Sequence, residues 1–305
     1  MFKLKKKDFL QVADLSADEI WHLFELTKDL KTRRKRGEKI IPILRGQVLG
    51  MFFAKPSTRT RTSFEVAMLE LGGYAINLDA EGLQIVRGET FADTGRCLSR
   101  YLNGIMIRTY KQEDVEVLAK SSTIPVINGL TDLHHPCQAL ADFYTIWEKR
   151  GSFKRVKLAF FGDGNNVCHS LMQAAVLLNV EMQVVTPPGC QPQKTVLANL
   201  KNNHRKITTT TNPKLDLSNV DFIYTDVWVS MGEEKKRKRK DVFQPYQVNE
   251  KILKKTSSKV MVMHCLPAHR GEEITDEVID GPHSIVWDQV ENRLHFQKAL
   301  LAALL

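Results

Sequence analysis

Short apolar runs, each the length of a buried strand, alternate with amphipathic helical stretches along nearly the whole chain. This alternation restricts the fold more than any other feature. Ser16 precedes ADEIWHLFELTKDLKTRRKRG, in which Ile20, Leu23, Phe24 and Leu30 share one helical face and Gly37 follows a cationic last turn. QVLGMFFA and GYAINLD then read as strands on either side of a helix whose Phe64, Ala67, Met68 and Leu71 repeat at i, i+3, i+4 and i+7 before Gly72 and Gly73 stop it. The pattern continues with a helix at Ala92 to Tyr101, strand GIMIRTY, helix EDVEVLAKSS, strand IPVINGL and a long helix from Pro136 through Glu148. Such alternation implies parallel sheets with helices on their faces.

The basic, Gly-containing KRGSFKRVK reads as a crossing into a second domain, and the alternation then restarts. Strand LAFFG, helix CHSLMQAAVLLN, strand EMQVVTP, a helix from Lys194 to Asn203, and strands DFIYTDVW, VMVMHCL and SIVWDQ follow, with an apolar helix from Glu291 to Leu305 at the end. TTTT at Thr208 to Thr211 reads as low complexity. The expected fold is α/β, with two doubly wound domains, each a central parallel sheet flanked by helices. The expected domains are 1–148, to which helix 291–305 returns, and 149–290. A length of 305 residues accommodates two domains of ordinary size.

The net charge of +9 lies largely in two runs, KLKKK at Lys3 to Lys7 and KKRKRK at Lys235 to Lys240. A positive field attracts nucleic acid, anionic membranes and small anions alike. No aromatic or basic readout module accompanies either run, so solvated charged loops are expected rather than nucleic-acid contacts. Five cysteines, Cys97, Cys137, Cys168, Cys190 and Cys265, form an odd set without a CxxC pair. A reducing cytoplasm suits them better than a disulfide framework or a zinc ribbon. The N-terminal stretch carries no recognisable export signal, and no apolar run reaches membrane-spanning length.

The candidate chemistry lies where strands end. Ser57, Thr58, Arg59 and Thr60 stand between QVLGMFFA and the helix that follows. A helix N-terminus offers backbone N–H groups and a positive dipole end, and added hydroxyls and a guanidinium make it suitable for phosphate. One Ser or Thr is enough to cap a helix, so four adjacent donors point to an anion site. The Walker spacing is absent, and FFGDGNNV lacks the third glycine of a dinucleotide fingerprint because Val167 stands there. That turn presents Asn165 and Asn166 at a sheet edge. Arg108 in GIMIRTY, His135 and Gln138 in LTDLHHPCQAL, and HCLPAHRG from His264 also follow strands. His134, His135, His264 and His269 lack zinc-site spacing. His264 and Cys265 are adjacent strand residues that point to opposite faces, which speaks against a nucleophilic pair. TDVWVSMGEE supplies an acidic group and a Gly-containing loop suited to a cationic amine.

STRT, LQIVRGE, HPCQ, GDGNN, DVWVSMG and HCLP together resemble the aspartate/ornithine carbamoyltransferase family over nearly the whole length. The resemblance implies transfer of a carbamoyl group from carbamoyl phosphate to L-ornithine, without metal or organic cofactor. It places Ser57, Thr58, Arg59, Thr60 and Arg108 on the phosphate. His135 and Gln138 fall on the carbamoyl group, which Cys265 and Leu266 border with Arg293 nearby. Asn166, Asp226, Ser230 and Met231 match amine-binding positions. Gln84 is implied to reach the phosphate site of a neighbouring subunit in a homotrimer or multiple of trimers. Arg59, Arg108, His135 and Cys265 are the implied catalytic set, with Cys265 positioning or deprotonating the amine and Asp226 orienting it. DVWVSMG favours ornithine over putrescine or N-acetylornithine, which remain the alternative amines.

Overall fold

The computed structural model describes residues 2–200, 206–229 and 240–305. They form two compact units, Met1–Tyr144 with Glu291–Leu305, and Thr145–Val290.

In the first unit, β1 (Val48–Phe53), β2 (Tyr74–Asp79), β3 (Gly104–Arg108) and β4 (Val126–Leu130) form one sheet in the order β2-β1-β3-β4. Every neighbouring pair is parallel. Helices α1 (Ala17–Lys35), α2 (Thr58–Glu70), α3 (Phe91–Leu98), α4 (Gln112–Ser121) and α5 (Pro136–Arg150) lie between or beside the strands in sequence, with α5 from Thr145 onward belonging to the second unit. Ser16 caps α1 by accepting from Glu19 N, while the Glu19 carboxylate accepts from Ser16 N at 2.9 Å. This reciprocal cap contributes about 1 kcal/mol. Ile20, Leu23, Phe24 and Leu30 are fully buried, as are Phe64, Ala67, Met68 and Leu71, so both helical periodicities become core. The basic start of the chain is also used locally. Lys7 Nζ donates to Ala119 O at 3.0 Å and Ser122 O at 2.6 Å at the end of α4, and Phe9 pairs with β4 through Phe9 N to Val126 O and Asn128 N to Phe9 O.

The second unit carries β5 (Lys157–Phe161), β6 (Glu181–Val185), β7 (Ile207–Thr210), β8 (Phe222–Thr225) and β9 (Met261–His264) in the order β7-β6-β5-β8-β9, again all parallel. The longer helix α6 (Asn166–Leu177) follows β5, and α7 (Lys194–Asn199), α8 (Lys240–Phe243), α9 (Glu250–Leu253) and α10 (Asp276–Ile279) are short. The last helix, α11 (Val286–Leu304), crosses the unit boundary, and its residues from Glu291 onward belong to the first unit.

Two expectations fail. SIVWDQ is not a strand. Ser284 makes one isolated bridge to Val262, Ser284 Oγ accepts from Val286 N at 3.5 Å, and α11 begins at Val286 rather than Glu291. Serine at a helix start with Asp288 in the first turn outweighs a short apolar run, which by itself does not separate strand from helix. The fifth strand of this sheet is β7, formed from the segment read as low complexity. Its threonines lie on an edge with no continuous buried run, which leaves β-branched propensity as the only local signal.

In both sheets the order of connection reverses once. The reversal separates β1 from β3 in the first and β5 from β8 in the second, and the crevice beyond the carboxyl ends at such a point is where open α/β sheets bind ligands.

Candidate active site

Phe53, the last residue of β1, is in register with Arg108, the last residue of β3. The loop after β1 therefore meets Arg108 at the first sheet's reversal point. The β3–β4 register shifts between Ile107 and Arg108, and that irregularity turns the chain where the guanidinium leaves the sheet. Ser57 is the N-cap of α2 and its hydroxyl accepts from Thr60 N at 3.3 Å. Thr58 is exposed and Arg59 half-buried in the first turn. Thr60 turns inward, where its Oγ1 accepts from Arg293 Nη2 of α11 at 3.1 Å and, at the long limit, from Arg108 Nη1 at 3.5 Å.

Arg293 is buried and held on several sides. Nη1 donates to Gln138 Oε1, and with the Gln297 amide turned to satisfy both its ends, Gln297 Oε1 accepts from Arg293 Nε at 3.1 Å and Nη2 at 3.0 Å. Gln138 passes the network on, donating from Nε2 to Asp142 Oδ1 at 2.9 Å. His135 precedes Pro136, the first residue of α5, a position that suits proline because its missing N–H would have no helical partner. The loop carrying His135 is clamped by Thr131. Its hydroxyl donates to Gln112 Oε1 at 2.7 Å and accepts from His134 N at 3.1 Å, while Asn128 Nδ2 donates to the same Gln112 oxygen at 3.2 Å.

Burial, and then the guanidinium groups of Arg293, Arg108 and Arg59, push the His135 imidazole well below its usual 6.5. His135 is consequently neutral at neutral pH and can offer an uncharged N–H or lone pair. Three cations acting on one buried imidazole at a helix N-terminus form an environment suited to a phosphate-bearing ligand. Burial drives the Cys137 thiol up to about 12, which makes it an inert core thiol. Gln84 lies on an exposed 3-10 turn, Gln84–Arg87.

The second unit repeats the logic with opposite charge. Phe161 of β5 is in register with Thr225 of β8, so the turn after β5 and Asp226 meet at the second reversal point. Gly162 takes φ +135°, and a Cβ on Gly164 would lie 2.3 Å from Pro192 N and 2.5 Å from Gln191 C, so only glycine fits at 164. The turn delivers Asn165 as the N-cap of α6, its Oδ1 accepting from Val167 N and Cys168 N at 3.1 Å each. Its Nδ2 donates to Asp226 Oδ2 at 2.7 Å. The other carboxylate oxygen accepts from Cys265 Sγ at 2.8 Å and Val227 N at 2.8 Å. Asn166 is buried beside them with its Oδ1 accepting from Val167 N at 2.9 Å. Burial, with Asp163 and Asp226 adding to it, raises the Cys168 thiol well above 9.0 and leaves it unreactive.

His264 and Cys265 point to different partners. The His264 Nδ1 accepts from Leu266 N at 2.8 Å, which places its proton on Nε2, 3.0 Å from Glu273 Oε1, and both side chains are fully buried. Leu266, partly buried, takes φ 56° and is followed by a cis bond to Pro267. Ligand atoms of Asp226, His264 and Cys265 lie within 4.8 Å of one another, but both nitrogens of His264 are committed to protein partners. Ser230 and Met231 lie outside the described residues, as does most of the KKRKRK run.

The structure thus gathers Ser57, Thr58, Arg59, Thr60, Arg108, His135, Gln138 and Arg293 in the first unit and Asn166, Asp226, Cys265 and Leu266 in the second. Among the residues that hold these groups, sequence reasoning named only Asn165, at the sheet edge and without a holding role. Asn165 had a readable signal, an Asn directly after the turn glycine Gly164 at a helix start. Gln112, Asp142 and Gln297 had none.

Residues 7–148 match the family model for the carbamoyl-P binding domain of aspartate/ornithine carbamoyltransferase, and residues 154–304 match its Asp/Orn binding domain. The chain belongs to the aspartate/ornithine carbamoyltransferase family. It is 52% identical to an ornithine carbamoyltransferase of Pyrococcus horikoshii over 99% of this chain and 96% of that protein. The solved ornithine carbamoyltransferase of Pyrococcus furiosus superposes with a TM-score of 0.93 at 52% identity, covering 97% of this chain and 96% of the other. That of Thermus thermophilus gives 0.89 at 40% identity, covering 98% and 99%. Of the cationic cluster, Arg59, Arg108 and His135 lie in the region matched to the carbamoyl-P binding domain, whereas Arg293 and the acidic cluster around Asp226 lie in the region matched to the Asp/Orn binding domain.

Proposed function

We propose that the chain is an ornithine carbamoyltransferase, moving the carbamoyl group of carbamoyl phosphate to the δ-amine of L-ornithine to give L-citrulline and phosphate. The observation that carries this reading is the convergence of Arg108 and Arg293 on Thr60 in the first turn of α2, with His135 kept neutral among the same cations. Residues 1–148 with helix 291–305 take carbamoyl phosphate, and residues 149–290 take ornithine. Ser57, Thr58, Arg59, Thr60 and Arg108 hold the phosphate, and His135, Gln138, Cys265, Leu266 and Arg293 surround the carbamoyl group. Asn166 and Asp226 bind ornithine together with Ser230 and Met231.

The δ-amine attacks the carbamoyl carbon in its neutral form. The carbonyl electrons move to oxygen, and the tetrahedral intermediate collapses with loss of phosphate. Guanidinium groups fixed before reaction stabilise both the oxyanion and the departing phosphate without reorganising. His135 suits the first task because a neutral imidazole N–H donates to a developing oxyanion without neutralising the cations around it. The attacking nitrogen gives its extra proton to the departing phosphate, and Cys265, whose thiol donates to Asp226 at 2.8 Å, is assigned to positioning the amine.

The active assembly is a homotrimer or a multiple of trimers, in which Gln84 completes a neighbour's phosphate site. The exposed Tyr74 and Ile76 on β2, with exposed Val86 in the same turn as Gln84, support a covered face there. The protein works in the cytoplasm; none of the described helices is long and apolar enough to cross a membrane. Citrulline formation measured against L-ornithine, putrescine and N-acetylornithine tests the assignment, and a preference for either of the other amines would overturn it.

A further inference from the structure

The family reading leaves unused a seam of buried polar side chains between α2 and α11 in the first unit. On α2, Thr60, Ser63 and Glu70 lie at i, i+3 and i+10, along one helical face. Facing them on α11 are Arg293, Gln297 and Lys298. Arg293 meets Thr60 at 3.1 Å, Gln297 in its satisfied orientation meets Ser63, and Lys298 Nζ lies 2.6 Å from Glu70 Oε2. Arg34 Nε occupies the other Glu70 oxygen at 2.7 Å. Lys298 is fully buried. Burial acts to raise the Glu70 carboxyl, but hydrogen bonds from Lys298 and Arg34 outweigh it and hold the group below its usual 4.5.

A buried ion pair is a poor source of net stability, because desolvation offsets its attraction, but it demands one geometry. Around Lys298 the contacts of α11, through Phe296, Ala299 and Leu300, are apolar and non-directional, so on that side of Arg293 only Glu70–Lys298 and Gln297–Ser63 resist a slide along the axis, while Lys31 donating to Asn292 at 2.7 Å holds the other side. Lys298 follows Arg293 by five residues, about 7.5 Å of rigid helix at 1.5 Å per residue. A slip of about 1 Å at Lys298 would carry the Arg293–Thr60 contact out of hydrogen-bonding range.

We propose that the Glu70–Lys298 pair is a positioning device for carbamoyl phosphate, fixing the axial register of α11 on α2 so that the Arg293 guanidinium reaches Thr60 and Gln138. The inference rests on the reading of this cluster as the carbamoyl-phosphate site. Glu70 and Lys298 touch no substrate; they act through Arg293.

The test is steady-state kinetics on the full-length enzyme with Lys298→Met and, as a milder variant that keeps side-chain length, Glu70→Gln. Each is also placed in an Arg293→Ala background. Lys298→Met is expected to raise the KM for carbamoyl phosphate by about tenfold while the KM for ornithine stays within about twofold. Glu70→Gln should move the same KM in the same direction by less. With Arg293 already removed, either change should add less than about twofold, because there is no longer a guanidinium to position. A merely structural pair would lower the melting temperature and leave this split and this non-additivity unmoved. Unchanged carbamoyl-phosphate KM in the folded variants, or an equal loss with and without Arg293, refutes the positioning role. Absence of citrulline formation by the wild-type chain would instead overturn the underlying functional reading.

Discussion

Asp226→Asn is the sharpest probe of the acidic cluster, because the surrounding hydrogen bonds leave an amide no satisfactory orientation. The wild-type carboxylate accepts from Cys265 Sγ and Val227 N on one oxygen and from Asn165 Nδ2, at 2.7 Å, on the other. An amide nitrogen turned toward Asn165 puts two donors face to face. Asn165 cannot flip in response, because its Oδ1 caps α6 through Val167 N and Cys168 N. An amide nitrogen turned the other way opposes the Val227 N–H. Either orientation strands a donor in a buried site, a cost of about 1–3 kcal/mol in stability. The substitution also removes the carboxylate charge that accepts from ornithine, worth one charge-assisted hydrogen bond of about 1.5–3 kcal/mol. At roughly 1.4 kcal/mol per decade, ornithine KM should rise by about 10- to 150-fold. The KM for carbamoyl phosphate should rise far less, since its phosphate ligands come from the first unit and Asp226 reaches the carbamoyl end only through Cys265. Citrulline formation, with each substrate varied at saturation of the other, reads both constants. An unmoved ornithine KM, or a parallel rise in both, would refute the assignment of Asp226 to the amine.

Burial, followed by the charges of Lys31 and Lys298, lowers the His295 imidazole from 6.5 to about 4. The unfolded chain therefore binds a proton that the fold resists between those values. Stability should be full above pH 6.5 and fall as the pH drops toward 4, by up to about 3.5 kcal/mol at roughly 1.4 kcal/mol per pH unit, and His295→Gln should flatten that slope in urea unfolding across the window. His135, depressed in the same direction, stays neutral through the assay range, so His135→Asn should lower kcat without moving the acid limb of the rate profile. Gly164→Ala forces a methyl against the backbone at Pro192 N and should cost about 1–3 kcal/mol, with a raised ornithine KM as Asn165 shifts. Phe9→Ala removes a fully buried ring from the segment paired with β4 and should cost about 3–5 kcal/mol, read as a lower denaturant midpoint.

Among the described residues eight of the nine strands were legible, most of them because strands covered on both faces must be apolar along their length, while the exposed edge strand β2 was legible as a short, mostly apolar run after the Gly72–Gly73 helix stop. β7, an edge strand of threonines, escapes this demand and left no hydrophobic trace. SIVWDQ satisfied the demand locally, yet its Ile285 and Val286 are buried at the start of a helix while Trp287 between them and Asp288 faces solvent. The site divides in the same way. Side chains with a chemistry of their own, such as Arg108, His135, Asp226 and Cys265, announce themselves at strand ends. The groups that hold them are ordinary and distant along the chain. Asn165 meets Asp226 across 61 residues, Gln138 meets Arg293 across 155, and Glu70 meets Lys298 across 228. No local pattern encodes such pairings; they exist only once two elements have docked.

Ser57 shows where the two kinds of reading converge. From sequence, its hydroxyl is either the single cap a helix start requires or one donor in an anion cradle, and these look like competing uses. In the fold the Ser57 oxygen accepts the Thr60 N–H, which uses a lone pair and leaves the hydroxyl proton to be directed elsewhere. Cap and ligand contact therefore draw on opposite halves of one group. The cap also aims the proton, because an oxygen fixed by Thr60 N can rotate its hydrogen only about the Cβ–Oγ bond. Ser57→Ala should then lose about 1 kcal/mol of helix capping together with carbamoyl-phosphate affinity. Ser57→Gly, which caps nearly as well through its backbone, should recover most of the stability and none of the affinity. Recovery of both in the glycine variant would mean that the hydroxyl only caps.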